Sequence, residues 1–573
     1  MGKVTHSYHN FIFPFIWQNS AENYKGPCFE EIKNNFENTH VWANDDLDDW
    51  HEIMLNDNDV QPDGLNVNKL KYATYQYYQP AIRNAIFGKW NEENSLEVVQ
   101  SYYFTPIKNG DGINDKRAQY IIRKEIKNER GEYCIKEYCL NLTDIKLRLY
   151  NTGVGLLSFI CENRITSDLA DIKIINDYGR RITLPFIPQS DSTADSVCAD
   201  SIDIYWDGMS EDISQNFKEQ ILNINSTEKK ADLNHIADFI INILNYSIGD
   251  DNNRLKKITT NKKDKEKEWY IQPALDDRMF VMCCVKNNFS QIFTGDGSVS
   301  AYDYFNVLKN DELFASQDDS YEKIEKSLYE FIFCDTPGNC TCYFPQMRQH
   351  LIRDHVYFRW IHPDWGTFYS VAAQAFMCIT EPDFLINYFR TEYYEMACLV
   401  LVQRASLRVL QNKASSISAH IEDDNNTVNK NKRKEIANLQ EKLIAFQNQI
   451  NLYEVSSQEQ AIELYDMMRE VFLVNKHTSI LQEQLDGLYN IANIHQSNNI
   501  SHWALVVAGA AIVIAMPSFW GDSPVWPGHF DVISVFWDDM HGCGDNSWSG
   551  TVFWLKVLVL IGLGVYIWSQ RNK

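Results

Sequence analysis

The sequence lacks the short motifs that identify common enzyme classes. It contains no P-loop, no nucleophile elbow, no HExxH pair, and no cysteine and histidine at a known catalytic spacing. The cluster Cys334, Cys340, Cys342, His350 and His355 has metal-binding residue types, but its cysteines lack the C-x2-C spacing of zinc sites. We therefore expect buried thiols there rather than a metal, and a protein that is not an enzyme.

Basic residues are also fewer than acidic residues. The chain has 53 Lys and Arg against 77 Asp and Glu, a formal net charge of -24. Duplex nucleic acid is excluded as the main partner, because phosphate backbones are bound by basic surfaces. A small anionic ligand in a local basic pocket stays compatible with this charge. The length of 573 residues exceeds what one core normally supports, so several domains are expected.

The N-terminus lacks a basic region followed by a long apolar run, so it does not read as a secretory signal. The 13 cysteines are scattered, as in proteins of a reducing compartment. We therefore expect the large N-terminal part to lie in the cytosol.

Long apolar runs appear near the C-terminus, at Ala504 to Trp520 and at Val552 to Trp568. Each is slightly shorter than the roughly 20 residues that cross a bilayer. Tryptophans flank both runs, as at membrane interfaces. We expect transmembrane helices at about 501–520 and 551–569, with buried core helices as the alternative.

Charge predicts the topology of these two spans. The segment between them contains aspartates and no Lys or Arg, whereas the tail carries Arg571 and Lys573. Positive charge favours the cytoplasmic side. The expectation is a multi-pass protein of the cell inner membrane, with cytoplasmic N- and C-termini and an acidic outer loop that contains Asp522, Asp531, Asp538, Asp539 and Asp545.

Strand and helix signals alternate in the first part of the chain. Leu147 to Asn163 predicts two strands, or one kinked strand, broken at Thr152 and Gly153. Asp168 or Ser167 can cap a helix that ends at Gly179. A further strand is predicted at Met279 to Val285. This order indicates an α/β unit. Residues 1–380 are thus expected to form a ligand-sensing domain, or two subdomains joined by a charged linker near 249–268.

The chain from 383 to 500 has a different pattern. Apolar residues recur there at spacings of three and four, and no proline occurs between Pro382 and Pro517. The predicted fold is therefore an α/β cytosolic domain, then a long α-helical coiled-coil stalk at 383–500, then two C-terminal transmembrane helices within 501–573.

This architecture resembles the CorA-like divalent-cation channels, which form homopentamers with the first span lining the pore. The GMN tripeptide of that family is absent, and "AMPSFWGDSPVWPG" stands in its place. The stretches "LYNTGVGLLSF", "INDYGRRI" and "TEYYEMACLVLVQRASL" resemble more closely the CorA-like effectors associated with type III CRISPR systems, of the Bacteroides kind. That resemblance implies an ion channel in antiviral defence, gated by the nucleotide messenger S-adenosylmethionine-AMP. A constitutive magnesium transporter, a membrane-tethered enzyme and a membrane anchor are the alternatives.

Candidate ligand contacts lie in two segments of the α/β part. Arg180 and Arg181 follow a helix, and their guanidinium groups match the geometry of phosphate. The turn with Gly153 and Gly155 lets a ligand approach the backbone. Two tyrosines beside these segments, Tyr150 and Tyr178, offer rings for stacking on a base. In the alternative, the arginines cap the helix end and pair with acids.

Candidate pore residues lie on one face of the first predicted span. Asn499 would stand at the cytosolic entrance, and an apolar constriction would follow. A divalent cation is the ion that the family implies. In the alternative, the same face packs on the second span. The predicted set is Asn499, Val506, Ala510, Val513 and Pro517.

Overall fold

We describe the chain from a computed structural model. The structure describes residues 6–19, 29–45, 67–88, 97–108, 118–127, 132–183, 198–209, 213–219, 236–247, 258–259, 269–293, 299–309, 319–362, 366–421 and 430–515. The expected charged linker falls outside these residues except at positions 258–259. Pro517, the five aspartates of the expected outer loop and the second apolar run also fall outside them.

The central element is one mixed sheet of 14 strands. Ten strands lie in the order β12-β13-β14-β11-β1-β6-β5-β4-β7-β8, and β10, β9, β3 and β2 join beside β1 and β5. The strands are β1 His6–Asn19, β2 Trp42–Asn44, β3 Val99–Phe104, β4 Ala118–Lys127, β5 Tyr133–Tyr150, β6 Val154–Asn163, β7 Ser201–Trp206, β8 Ile213–Asn216, β9 Ile258–Thr259, β10 Trp269–Pro273, β11 Phe280–Lys286, β12 Val356–Tyr357, β13 Phe368–Ala372 and β14 Ala375–Thr380.

The helices among the described residues are interspersed with the strands along the chain. They are α1 Phe29–Glu37, α2 Val67–Tyr77, α3 Pro80–Phe87, α4 Thr105–Lys108, α5 Leu169–Gly179, α6 Asp238–Leu244, α7 Phe289–Ile292, α8 Ala301–Lys309, α9 Asp319–Phe333, α10 Pro345–His355, α11 Asp383–Arg390, α12 Glu392–Ile421, α13 Lys430–Gln449, α14 Glu459–Val471 and α15 Val474–Ala515. A 3-10 turn, Phe358–Trp360, follows β12.

The expected fold class is wrong in its first part, because most neighbouring strands pair antiparallel. Two pairs are parallel, β11 with β14 and β10 with β9. The two strands predicted around Thr152 form the antiparallel hairpin β5–β6, and α5 then leads to β7 beyond β4. Short turns between adjacent strands favour this antiparallel pairing. The result is a large mixed sheet rather than an α/β unit of parallel strands.

Alternation of side chains along β1 gives the sheet two covered faces. On the first face, Phe11, Phe13 and Phe15 join a large apolar core with residues of α5, α6 and α9. On the second face, the Arg390 guanidinium stacks over the Tyr8 ring at 4.3 Å. Neighbouring residues of one strand therefore contact different helical layers.

Helix α12 is the main element on the second face. The side chain of Arg148 on β5 forms a buried ion pair with Glu395 on α12. The ring of Tyr393 packs edge-on against Tyr369 of β13, with centroids 5.7 Å apart. Every residue from Tyr393 to Val402 is buried.

That continuous burial overturns the expected coiled-coil stalk. A coiled coil buries one seam of a and d positions and leaves the rest of each helix in water. The first part of α12 is instead buried on all sides, because it lies against the sheet. The three-and-four spacing of its apolar residues is a property of any buried helix, and the described helices show no coiled-coil stalk.

The expected membrane spans are also corrected. Among the described residues, no helix combines the length and the apolar composition that a bilayer crossing requires. Within the described residues, this finding contradicts the transmembrane helix predicted at 501–520 and the multi-pass inner-membrane location, whereas the ion-channel function stays a prediction.

The chain divides into two compact units. The first contains residues 1–416 and 438–484, and the second contains residues 417–437 and 485–573. All contacts described below lie within the first unit. The domain boundaries expected near residues 380 and 500 stay predictions.

Candidate functional site

Helix α5 begins and ends as its sequence predicts. The Asp168 carboxylate accepts a hydrogen bond from the Ala170 amide at 3.0 Å, which confirms the predicted N-cap. At the other end, a Cβ on Gly179 would lie 2.6 Å from Cζ of Phe11. Glycine therefore lets the last turn press directly on the sheet. The Tyr120 hydroxyl donates to the Gly179 carbonyl at 2.8 Å and fixes this end.

Arg180 follows α5 and points into the protein. Its Nη1 donates to Oε1 of Gln374 at 2.8 Å, and its Nη2 donates to Asp177 at 3.1 Å and to the Cys334 carbonyl at 3.2 Å. None of these acceptors is a terminal carbonyl of α5. The guanidinium therefore joins the helix to two distant segments rather than capping the helix end.

Arg181 contacts a further segment of the chain, the one that contains Arg278. Its backbone forms an isolated antiparallel bridge with Arg278, and the Met279 amide donates to the Arg180 carbonyl at 2.8 Å. The Arg181 side chain lies 3.6 Å from the Asp177 carboxylate, which it shares with Arg180. Three arginines from two segments thus converge beside the end of α5.

Carboxylates and an amide complete the group. Gln374 donates to Asp276 at 2.6 Å, and Arg278 contacts Asp276 at 3.1 Å and Asp277 at 3.4 Å. We call this set the arginine cluster; its members are Asp177, Arg180, Arg181, Asp276, Asp277, Arg278 and Gln374. With three arginines and three aspartates it is formally neutral.

The arginine cluster runs from the interior toward solvent. The side chain of Arg180 is 2% exposed, that of Arg181 is 9% exposed and that of Arg278 is 25% exposed. The Nε atoms of Arg180 and Arg181 are buried and donate no hydrogen bond to a described residue, whereas Nε of Arg278 lies 3.4 Å from the Asp277 carboxylate. Buried donors without acceptors are rare, because each loses its hydration without compensation. The cluster therefore combines buried donors without acceptors, on Arg180 and Arg181, with a partly exposed arginine, Arg278.

The electrostatics of the cluster reflect crowding of like charges. Burial lowers the pKa of Arg181, and Arg180 and Arg278 lower it further against the opposing effect of Asp177. Burial, together with the neighbouring Asp276, raises the pKa of Asp277 to about 6. For Asp276, hydrogen bonds from its neighbours outweigh burial and lower the pKa. Asp277 is therefore the carboxylate that takes up a proton most easily.

Tyr178 lies beside this cluster, and one face of its ring is covered. The ammonium of Lys124 stands 4.9 Å from the ring centroid and donates to the Cys198 carbonyl at 2.6 Å. Lys124 also lies 3.8 Å from Asp200. These contacts place a buried cation on the ring of Tyr178. The predicted stacking of Tyr178 on a base stays a prediction.

The other predicted ligand contacts are not brought to the arginine cluster. Tyr150 is buried on β5 and alternates with Leu149, which joins the core on the first face, so Tyr150 faces the second. Gly153 has a φ of 89° and makes the β5–β6 turn. At Gly155, an added Cβ would lie 2.3 Å from Cζ of Phe15. The space beside Gly155 is thus filled by a core phenylalanine.

The predicted pore residues Asn499, Val506, Ala510 and Val513 fall within α15, and Pro517 lies outside the described residues.

The cysteine and histidine cluster forms no metal site, since no group of metal-ligating side chains occurs in the described part of the chain. Cys334 and Cys340 are buried free thiols, as the sequence predicted. His355 uses Nδ1 to bond the Leu351 carbonyl at 2.8 Å.

Sequence reasoning missed a buried serine, histidine and asparagine in series. Ser7 Oγ lies 2.9 Å from His9 Nε2, and His9 Nδ1 lies 2.7 Å from Asn176 Oδ1. A catalytic serine needs access to a substrate carbonyl. All three side chains are essentially sealed from solvent, and burial lowers the pKa of His9 to about 4. The alternation of Ser7 and His9 along β1 was the available signal; the group joins β1 to α5.

Comparison with known proteins adds no relative. No protein-family model, curated protein or solved structure matches the chain. The resemblance to the CorA-like effectors therefore stays a prediction, and the arguments below depend on the geometry of the described residues.

Proposed function

We propose that the protein binds a phosphate-bearing small molecule of the nucleotide class at the arginine cluster. The observation that carries this proposal is the pair of buried Nε atoms, on Arg180 and Arg181, that donate no hydrogen bond to a described residue, beside the partly exposed Arg278. They converge in a protein of net charge -24. Phosphate oxygens are the acceptors that guanidinium groups bind with the best geometry.

Arg181 and Arg278 are the contacts that an entering phosphate reaches first, because they stand nearer the surface than Arg180. Phosphate would take the place of a carboxylate beside them. Asp277 can lose its negative charge by taking up a proton, because its pKa is already raised to about 6. Repulsion between this side chain and the phosphate is then removed. Arg180 is fixed by hydrogen bonds to three acceptors and would contact the phosphate from the buried side of the cluster.

The ligand that the resemblance implies is S-adenosylmethionine-AMP, which carries a phosphate and purine bases. Lys124 lies on the ring of Tyr178 and is already bound to the Cys198 carbonyl and Asp200. Binding without turnover is expected, because the described residues offer no accessible nucleophile beside the three arginines. Assembly into a homo-oligomer, a pentamer by resemblance, stays a prediction.

Isothermal titration calorimetry with S-adenosylmethionine-AMP and with ATP tests the proposal. We expect Arg181→Gln and Arg278→Gln each to weaken binding about 10- to 100-fold, the loss that corresponds to one charge-assisted hydrogen bond. The matched control is Arg359→Gln, which removes an exposed arginine that pairs with Glu459 and Glu463 away from the cluster.

The control should bind like the wild type. A wild-type protein that binds neither nucleotide would contradict the proposal. So would equal affinity in all three variants, provided that each unfolds at the wild-type temperature.

A further inference from the structure

Helix α14 carries a line of acidic side chains on its outer surface. Glu459, Glu463, Asp466 and Glu470 are spaced by four, three and four residues, and all four are exposed. This spacing places them on one face of the helix. We call these four residues the acidic stripe.

Half of the acidic stripe is already paired. Arg359 forms ion pairs with Glu459 at 2.9 Å and with Glu463 at 2.7 Å. Asp466 and Glu470 form no ion pair with a described residue, and both stand at the end of α14 that leads to α15. Two adjacent carboxylates at i and i+4 repel each other when nothing neutralises them.

A group of basic residues without acidic partners lies on two helices of the same unit. Arg404 and Arg408 are one turn apart on α12, and Lys476 and His477 lie in the first turn of α15. None of the four forms an ion pair with a carboxylate among the described residues. We call these four residues the basic patch.

The pKa shifts within the basic patch reflect burial and the proximity of its own positive charges. Burial lowers the pKa of Arg404, and Arg408 lowers it further. Burial also lowers the pKa of His477, and Arg404 and Lys476 add to the effect. No carboxylate offsets these shifts, so the acidic stripe of the same chain does not neutralise the basic patch. Such a patch is unusual on a chain with 77 acidic residues.

An apolar residue lies between the two charged groups. Leu473 follows α14 with a φ of 54° and is 46% exposed. A branched side chain at positive φ is uncommon, because its Cβ approaches the carbonyl oxygen. This conformation turns the chain sharply from α14 into α15 and leaves the leucine at the surface, where it can be covered by a partner.

We propose that the basic patch of one copy docks on the acidic stripe of a second copy, with Leu473 at the edge of the contact. The two surfaces differ, so the contact is heterologous and propagates into a closed ring or an open chain. Charge complementarity fixes the orientation and speeds encounter more than it adds affinity. The association is therefore weak and sensitive to salt.

Sedimentation velocity of the full chain tests this contact with two charge-reversal variants. The patch variant carries Arg404→Glu and Lys476→Glu, and the stripe variant carries Asp466→Lys and Glu470→Lys. We expect the wild type to self-associate at low salt and each variant alone to do so at least about tenfold more weakly. A 1:1 mixture of the two variants should associate again, because the reversed patch then meets the reversed stripe.

A control variant, Glu322→Lys with Lys326→Glu, exchanges an exposed ion pair on α9 and should associate like the wild type. Restoration on mixing cannot arise from misfolding, because each variant must present an intact surface to the other. The proposal is overturned by a monomeric wild type at low salt, by variants that associate normally, or by a mixture that stays dissociated. Binding of a polyanion such as heparin to the patch with no self-association would likewise overturn it.

Discussion

The side chain of Arg180 donates to the amide oxygen of Gln374 at 2.8 Å, and the nitrogen of the same amide donates to Asp276 at 2.6 Å. One amide thus joins the end of α5 to the loop before β11, from the turn between β13 and β14. A carboxylate at position 374 could not make both bonds, since it has no donor. The arginine cluster therefore depends on three segments that are distant in the sequence.

Loss of Arg180 should destabilise the protein strongly. Arg180→Ala removes the donor to the Gln374 oxygen and to the Cys334 carbonyl, and one of the two arginines beside Asp177, so we expect a loss of about 3–5 kcal/mol in the free energy of unfolding. Gln374→Ala should cost less, about 1–3 kcal/mol, because neutral partners are lost. Urea unfolding measures both. A stability of Arg180→Ala equal to that of the exposed control Arg359→Ala would refute the burial argument.

The ion pair between Arg148 and Glu395 attaches α12 to β5. Nη2 of Arg148 donates to Oε1 of Glu395 at 2.7 Å, and both side chains are buried. Glu395→Leu alone should cost about 3–5 kcal/mol, since the Arg148 charge stays buried without a partner. The double variant with Arg148→Met should recover most of that loss. Additive losses in a double-mutant cycle, measured by denaturant unfolding, would show that the pair is not coupled.

Glu392 predicts a dependence of stability on pH. Burial, together with the charge of Glu395, raises its pKa from 4.5 to about 7. Between these values the folded chain holds a proton that the unfolded chain has released, so stability falls as pH rises through that range. Each pKa unit corresponds to about 1.4 kcal/mol. Glu392→Gln should therefore gain stability over the wild type at pH 8 and gain little at pH 4.5.

Urea midpoints of both proteins at the two pH values measure this difference. His9 makes stability rise with pH, because its pKa is lowered to about 4 in the folded protein. This contribution is the same in the wild type and in Glu392→Gln, so it cancels in the comparison. An equal difference at the two pH values would mean that Glu392 does not titrate in this range.

Gly155 should tolerate no side chain. An added Cβ would lie 2.3–2.7 Å from three atoms of the Phe15 ring, so Gly155→Ala should cost about 1–3 kcal/mol through overpacking. Gly487, on α15, has nothing within 4 Å of an added Cβ. Gly487→Ala should stabilise by up to about 1 kcal/mol, because alanine favours helix. Thermal unfolding compares the two; a reversed order would exclude the packing described for Phe15.

Local patterns in the sequence were sufficient for several elements. The cap at Asp168, the end of α5 at Gly179 and the strand predicted from Met279 to Val285, which is β11, follow from capping and burial preferences of neighbouring residues. The two strands around Thr152 were likewise predicted. These elements need no knowledge of distant contacts.

Distant contacts decided the rest. The three-and-four spacing in α12 is shared by coiled coils and buried helices, and only the sheet beneath Tyr393 to Val402 distinguishes them. Arg180 was predicted as a ligand contact, or as a helix cap that pairs with acids such as Asp177. The pair with Asp177 is confirmed, whereas the other acceptors, Gln374 and Cys334, lie far along the chain. The role of Arg278 had no local signal, since it depends on pairing with Arg181 across the fold.

Hydrogen–deuterium exchange with and without S-adenosylmethionine-AMP tests the proposed binding at the arginine cluster most directly. We predict that the nucleotide slows exchange in two segments, residues 176–183 and 274–280, and leaves β5 around Tyr150 unchanged. The Arg181→Gln protein should show no such protection at the same nucleotide concentration. Protection centred on Tyr150 and Gly153, or no protection in either segment at a saturating concentration, would contradict the site.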